Sequence, residues 1–485
     1  MIEKKIGNLL SVPYEKKILI FDYEKLIEKL GYLASLDSKD FKVLYYEDVE
    51  KFRLLYEQKI KHSNEKWIVI VTTDVYVPFD IRRIFFSVEL NMNKLFPKLN
   101  PQVMSCYLKD IDIISCAYDE LYSDCSDEAE TDQFIKECVF GKQSILKYCK
   151  ILKNKLLEKT AQDTLGSNEW TEIAKIKAKA EYYSAMIGNP IDLKFVDKAF
   201  QNFVMDGYQK LSSQMNSKVP VILPKVMAHI TNGRDKVALI VMDGMSLVDF
   251  EIISHEFTNI EYDLQCSFAL IPTTTAISRQ CLLSGKYPSQ LESPFNLSKE
   301  EKEFRSAAEN LGYTKQQTLY ARGYEPQIGP FIKMVSIIIN DIDDMVHGQI
   351  QGRTGMFNDV SLLAKQGKLQ HLIVNLNKQG FKVFITADHG NTLCHGIGMI
   401  KGTGVEVETK SKRMLVLKDF ASSDVKDDKS ILKYPGYYLD KQYQYIICNT
   451  GISFDTKGAE VMTHGGISID EVIVPFIKIK AVHHG

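Results

Sequence analysis

The feature that most constrains this chain is a rhythm in its second half, where apolar, β-branched runs alternate with stretches of helical spacing. Lys236 to Met242 is followed by a helical Ser246 to Phe257, and further runs lie at Met334 to Asn340, Phe381 to Thr386, Arg413 to Leu417 and Tyr445 to Cys448. Uninterrupted apolar runs suit strands buried on both faces. Their alternation with helices predicts an α/β architecture with a mostly parallel, doubly covered sheet. In such sheets ligands bind beyond the carboxyl ends of the strands, so the residues that follow the runs are the first candidates for chemistry.

Three of those residues are aspartates. Asp243 closes Val-Ala-Leu-Ile-Val-Met-Asp, Asp343 follows Val335 to Asn340, and Asp388 ends Val-Phe-Ile-Thr-Ala-Asp. Three acids gathered at one sheet edge repel one another unless a cation neutralises them. Histidines accompany two of the three. His389 is adjacent to Asp388 in Thr-Ala-Asp-His-Gly390, where the glycine permits close backbone packing. His347 lies one helical turn beyond Asp343, a spacing that can bring carboxylate and imidazole onto one ion. His464, in Thr-His-Gly-Gly466, sits in a glycine-flanked loop before a last apolar strand at Val472 to Phe476.

A nucleophile candidate lies in Ile271-Pro-Thr-Thr-Thr-Ala-Ile-Ser-Arg279, just before a helical segment that ends at Ser284-Gly285. A hydroxyl at a helix start is surrounded by unpaired backbone N–H groups that can hold phosphate oxygens, and a divalent cation lowers its pKa.

The ordered set Asp243, Thr275, Asp343-x-x-x-His347, Asp388-His389 and His464-Gly resembles the alkaline phosphatase superfamily. More narrowly, Val-Met-Asp-Gly-Met-Ser246, Ile-Pro-Thr-Thr-Thr275 and Thr-His-Gly-Gly-Ile-Ser-Ile-Asp-Glu-Val472 resemble PglZ proteins, the group associated with BREX phage defence. The resemblance covers residues 236 to 478 and implies an alkaline-phosphatase-like core. It further implies that one divalent cation is held by Asp243, Thr275, Asp388 and His389, and a second by Asp343, His347 and His464. Thr275 is the implied nucleophile among the three threonines, because its gap of ten residues to Gly285 equals the family spacing. Arg279 falls where sulfatases carry an arginine beside their modified cysteine. It is a candidate for steadying the nucleophile or a phosphoryl oxygen, with a surface arginine as the alternative. Threonine cannot become formylglycine, so phosphorus rather than sulfur is the expected target.

The resulting expectation is a phosphodiesterase or phosphatase acting on nucleotides or oligonucleotides in phage defence, alongside other defence proteins. A phosphomutase and a non-catalytic scaffold of a defence complex are the alternatives. Oxygen and imidazole ligands without thiolate suit zinc first, then manganese, with magnesium behind. Asp341 and Asp344 flank Asp343, but only Asp343 has the required distance to His347. His395 reads as a solvated loop histidine rather than a third-site ligand. Glu471 is either an acceptor that orients His464 or a strand-surface carboxylate. His483 and His484 read as an unstructured tail.

The rest of the chain sets the frame. At 485 residues it exceeds one ordinary core, and three domains are expected: an α/β domain at 1–130, a helical linking domain at 131–230 and the catalytic domain at 231–485. The first rests on strands at Lys17 to Phe21, Lys42 to Tyr46 and Trp67 to Val71, with helical spacing at Tyr23 to Leu33 and Val49 to Ile60; the second on helices at Ile145 to Ala161 and Trp170 to Ile187. The acidic stretch Asp124 to Asp132 reads as a solvated loop, and residues 398 to 440 as a cap, interrupted at Lys401 to Gly404 and Ser422 to Ser430. A net charge of -2 removes any global attraction for nucleic acid or membrane. Nine cysteines without a C-x-x-C pair, no signal-peptide pattern and no apolar run near roughly 18 residues point to a cytoplasmic protein without a membrane partner.

Overall fold

Strands form where the pattern of apolar residues matches the faces they bury, and the chain shows both the fully buried and the half-buried kind. The computed structural model describes residues 1–12, 14–37, 40–162, 164–398, 405–406, 411–418 and 429–482. They divide into two units, Met1–Tyr148 and Cys149–Gly485. In the first, β1 (Lys17–Phe21), β2 (Phe41–Tyr45), β3 (Lys66–Val71) and β4 (Phe86–Glu89) form a parallel sheet in the order β2-β3-β1-β4. The first three strands are the expected apolar runs. Leu19, Trp67 and Val69 pack with Phe52 and Tyr56 from the expected helical stretch after β2.

The acidic stretch differs from expectation, because Glu128–Gln133 is helical. Asp127 caps it by accepting from the Ala129 amide at 2.9 Å. Glu128 and Glu130 add negative charge where a helix N-terminus favours it.

Between Lys142 and Thr160 the chain is a single helix, and helices Ser167–Met186 and Lys194–Asp206 follow. The strands of the second unit are β5 (Val237–Met242), β6 (Ile260–Phe268), β7 (Thr318–Arg322), β8 (Met334–Ile339), β9 (Lys382–Thr386), β10 (Thr392–Gly396), β11 (Val405–Glu406), β12 (Met414–Lys418), β13 (Ile431–Tyr434), β14 (Gln444–Cys448), β15 (Ile452–Ser453), β16 (Glu460–Thr463) and β17 (Ile473–Val482). Among the described residues they make three sheets, of which the largest has the order β6-β17-β9-β5-β8-β7. Within it β9, β5, β8 and β7 run parallel, while β17 is antiparallel to both β9 and β6. Every residue of β5 and β8 is buried. The carboxyl ends of β9, β5 and β8 therefore lie side by side, which is what places the site.

Two of the expected core strands belong elsewhere. β12 and β14 pair antiparallel in a separate sheet, β11-β12-β14-β13. Their apolar runs serve a local cluster of Leu415, Leu417, Ile446, Cys448 and Phe454, so an apolar run reports burial without reporting which sheet supplies it. Of the expected cap, residues 399–404, 407–410 and 419–428 lie outside the described residues, as do His483 and His484.

Candidate metal centre and nucleophile

β5 ends at Met242, and the next residue, Asp243, is buried at the carboxyl edge of the sheet. The turn after β9 brings Asp388 and His389 beside it, both fully buried. Asp388 Oδ1 accepts from the amides of Gly244 at 3.2 Å and His389 at 3.0 Å. His389 Nδ1 is 3.1 Å from the Gly390 carbonyl, so Nδ1–H donates there and Nε2 keeps its lone pair. Asp243, Asp388 and His389 each offer a ligand atom within 4.8 Å of the others.

A second triad adjoins the first. Asp343 and His347 lie on helix Asp341–Gly348, one turn apart as their spacing suggests, with His347 Nε2 3.4 Å from Asp343 Oδ2. His464, beyond β16, turns Nε2 to within 3.3 Å of Asp343 Oδ1 and donates from Nδ1 to the Thr273 carbonyl at 3.0 Å. The rings of His389 and His464 stack at 4.2 Å. Gly244 carries Asp343 close to the first triad. Its φ is +74°, and a Cβ there would lie 3.3 Å from Asp343 Oδ1.

Helix Thr275–Ser284 ends at Gly285 and presents Thr275 at its N-terminus. The Thr275 hydroxyl is 3.0 Å from His389 Nε2 and 3.4 Å from Asp243 Oδ1. Arg279, one turn on, is buried rather than on the surface. It is ion-paired to Asp243 Oδ2 and, at 2.7 Å, to Glu300. Asp341 and Asp344 stay outside this arrangement: Asp341 accepts from Tyr324 at 2.8 Å, and Asp344 is exposed.

Glu471 matches neither expected role. It is fully buried on the short helix Ile469–Val472, pairs with buried Arg413, and accepts from the amides of Gly466 at 2.8 Å and Ser468 at 2.9 Å. It shapes the loop that carries His464, while the Thr273 carbonyl orients the ring. Glu300, Arg413 and Asn391, whose amide donates to the Gly244 carbonyl at 2.9 Å, escaped the sequence reading. No spacing rule links them to the triads, and only the fold brings them near.

Residues 222–479 match the BREX system PglZ alkaline phosphatase-like domain, over half of the chain. The chain belongs to the PglZ family. Its matched region is thereby an alkaline phosphatase-like, phosphoester-hydrolase domain. Similar solved structures include murine ectonucleotide pyrophosphatase/phosphodiesterase 5, at 12% identity and a TM-score of 0.37, covering 50% of this chain and 88% of that one. Phosphonoacetate hydrolase from Sinorhizobium meliloti 1021 in complex with phosphonoformate aligns at 10% identity and a TM-score of 0.34, covering 51% and 90%. No curated protein matches the chain significantly.

Enzymes of the superfamily use divalent cations, and the donors of this PglZ chain fit them. Asp388 Oδ2 is a buried oxygen with no hydrogen-bond partner among the described residues, which is costly unless a cation takes its free lone pairs. Burial raises the carboxyl pKa of Asp243, and burial with the charge of Asp243 lifts Asp388 well above the usual carboxylate range. Burial also opposes charge on Asp343, but hydrogen bonds from His347 and His464 hold its pKa well below normal. Burial, with the charge of His464, pushes His389 down to about 3. For His464 burial acts downward, yet Asp343 outweighs it and raises the pKa. The PglZ triads thus combine crowded carboxylates with imidazoles whose Nε2 atoms face inward.

Proposed function

We propose that this PglZ chain is a two-metal phosphodiesterase acting on nucleotides or oligonucleotides in bacterial phage defence, with Thr275 as nucleophile. The observation that carries the reading is the Thr275 hydroxyl lying within 3.4 Å of one carboxylate and one imidazole of the first triad, at a helix N-terminus. Asp243, Asp388, His389 and Thr275 would hold one cation, and Asp343, His347 and His464 the other; zinc suits these donors first, manganese second. When bound, the cations lower hydroxyl pKa and offset negative charge on phosphoryl oxygens.

The chain's own groups do the rest. The amides of Ile277 and Ser278 already donate to the Thr274 carbonyl, which leaves those of Thr275 and Ala276 at the helix start to hold a phosphoryl oxygen beside Thr275 Oγ. Thr275 Oγ gives up its proton and forms the bond to phosphorus as one ester oxygen leaves with its electron pair and takes up a proton, giving a threonine phosphodiester that keeps the second ester group. Water then forms the new P–O bond and Thr275 Oγ departs, regenerating the hydroxyl. Arg279 is too deeply engaged with Asp243 and Glu300 to reach substrate, so its part is to hold Asp243 in place. The division at residues 130 and 230 belongs to the proposal too, with residues 1–230 as the docking surface for other defence proteins.

A screen of aryl phosphate mono- and diesters with added zinc or manganese tests the reading. Turnover of the diester, lost in Thr275→Ala with metal content retained, is the expected result. Full activity in that variant rules out the nucleophile, and turnover of the monoester alone rules out the diesterase.

A further inference from the structure

A second layer of charge lies behind the first triad and has no part in the chemistry proposed above. Glu300 opens helix Glu300–Asn310 and is 3% exposed. Its carboxylate accepts from Arg279 Nε at 2.7 Å, Arg322 at 2.6 Å and the Tyr320 hydroxyl at 2.5 Å. Arg279 spans from Glu300 to Asp243 Oδ2, while its Nη1 stops 3.8 Å short of Asp388 Oδ2. That Asp388 oxygen is the one left without a hydrogen-bond partner.

We infer that Glu300 is a positioning residue that tethers Arg279 away from Asp388, keeping Asp388 Oδ2 open for a divalent cation. Resting on the two-metal reading, the inference names what that reading leaves unassigned. Glu300, which Arg322 also contacts, draws Nε of Arg279 toward itself, so that Nη1 alone reaches Asp243 and Asp388 Oδ2 stays open to a divalent ion. With Glu300 neutral, the buried guanidinium loses one of its two charged partners and keeps only Asp243. The next anion within its reach is Asp388, and a small shift converts the 3.8 Å approach into a direct ion pair that competes with the cation.

The mechanism distinguishes a tether from a structural prop, because a tether becomes dispensable once the tethered charge is gone. Zinc binding to the full chain is titrated calorimetrically, with the two steps assigned by the step that Asp388→Asn removes and the step that His347→Ala weakens. Glu300→Gln keeps size and an acceptor for Arg279, and is expected to weaken the Asp388 step by about 10- to 100-fold, the usual effect of losing an outer partner of a ligand. The His347 step should not move and serves as the control for folding. The double variant Glu300→Gln/Arg279→Gln is expected to recover part of the lost affinity. Unchanged affinity in Glu300→Gln, equal weakening of both steps, or a double variant weaker than either single one overturns the inference while the two-metal reading stands. A wild-type chain that binds no zinc or manganese overturns both.

Discussion

The two triads are built by opposite means. Asp243, Asp388 and His389 are all buried, fixed by backbone amides and by Arg279. The other triad takes Asp343 and His347 from one helix and buried His464 from a loop, and its His347 side chain is 57% exposed. One is a fixed socket assembled by the central strands; the other is completed by a side chain that solvent can reach. Thr275, the proposed nucleophile, lies against the socket, where fixed geometry matters most.

The largest expected effect tests the assignment of the nucleophile to the socket. Thr275→Ala should lower turnover by roughly 10⁴- to 10⁶-fold, the scale on which removing a covalent nucleophile acts, with bound metal measured by elemental analysis nearly unchanged. Comparing ligands sharpens the contrast. Asp388→Asn should remove one equivalent of metal altogether, whereas His347→Ala should weaken the other without abolishing it, because water can occupy the place of an exposed ring. Equilibrium dialysis that found the reverse order would break the comparison. Removing metal from the intact chain comes next. Crowded buried carboxylates lose their neutralising partner, so a chelator should lower the unfolding temperature of the wild type. At ligand concentrations about 100-fold above Kd the lost stabilisation is about 3 kcal/mol per site. Asp388→Asn should show a smaller chelator response in the same melt, since it has one socket fewer to empty.

How much of this was legible in the sequence follows the same physical division. Strands β5, β8 and β9 are buried on both faces, so they read as apolar runs, and the aspartates at their carboxyl ends could be picked out. The edge strands β6 and β7 were not legible. Ile-Glu-Tyr-Asp-Leu-Gln-Cys-Ser-Phe alternates apolar with polar residues along a half-exposed edge, and Thr-Leu-Tyr-Ala-Arg is too short and too polar to stand out. Helix starts, loops and one-turn spacings pointed to the Ile271 to Arg279 segment, His347 and His464, and the family resemblance singled out Thr275 among the three threonines. The buried supports Glu300 and Arg413 left no mark, since an isolated charged residue in a sequence looks like surface until the fold encloses it.

The smallest expected effect concerns the histidine nearest the socket in sequence. His395 lies on β10, where Thr392, Cys394 and Gly396 point inward and His395 faces solvent opposite Glu460. Strand alternation alone decides this, because a shift of one residue would carry the ring to the other face. His389, in the turn before β10, obeys no such alternation and is fully buried beside Asp243. His395→Ala should therefore leave zinc stoichiometry, affinity and turnover at wild-type values, while His389→Ala lowers all three. A loss of metal in His395→Ala would mean that the ligand shell extends past the turn onto the exposed face of β10, and the sharp boundary between buried socket and open triad would no longer hold.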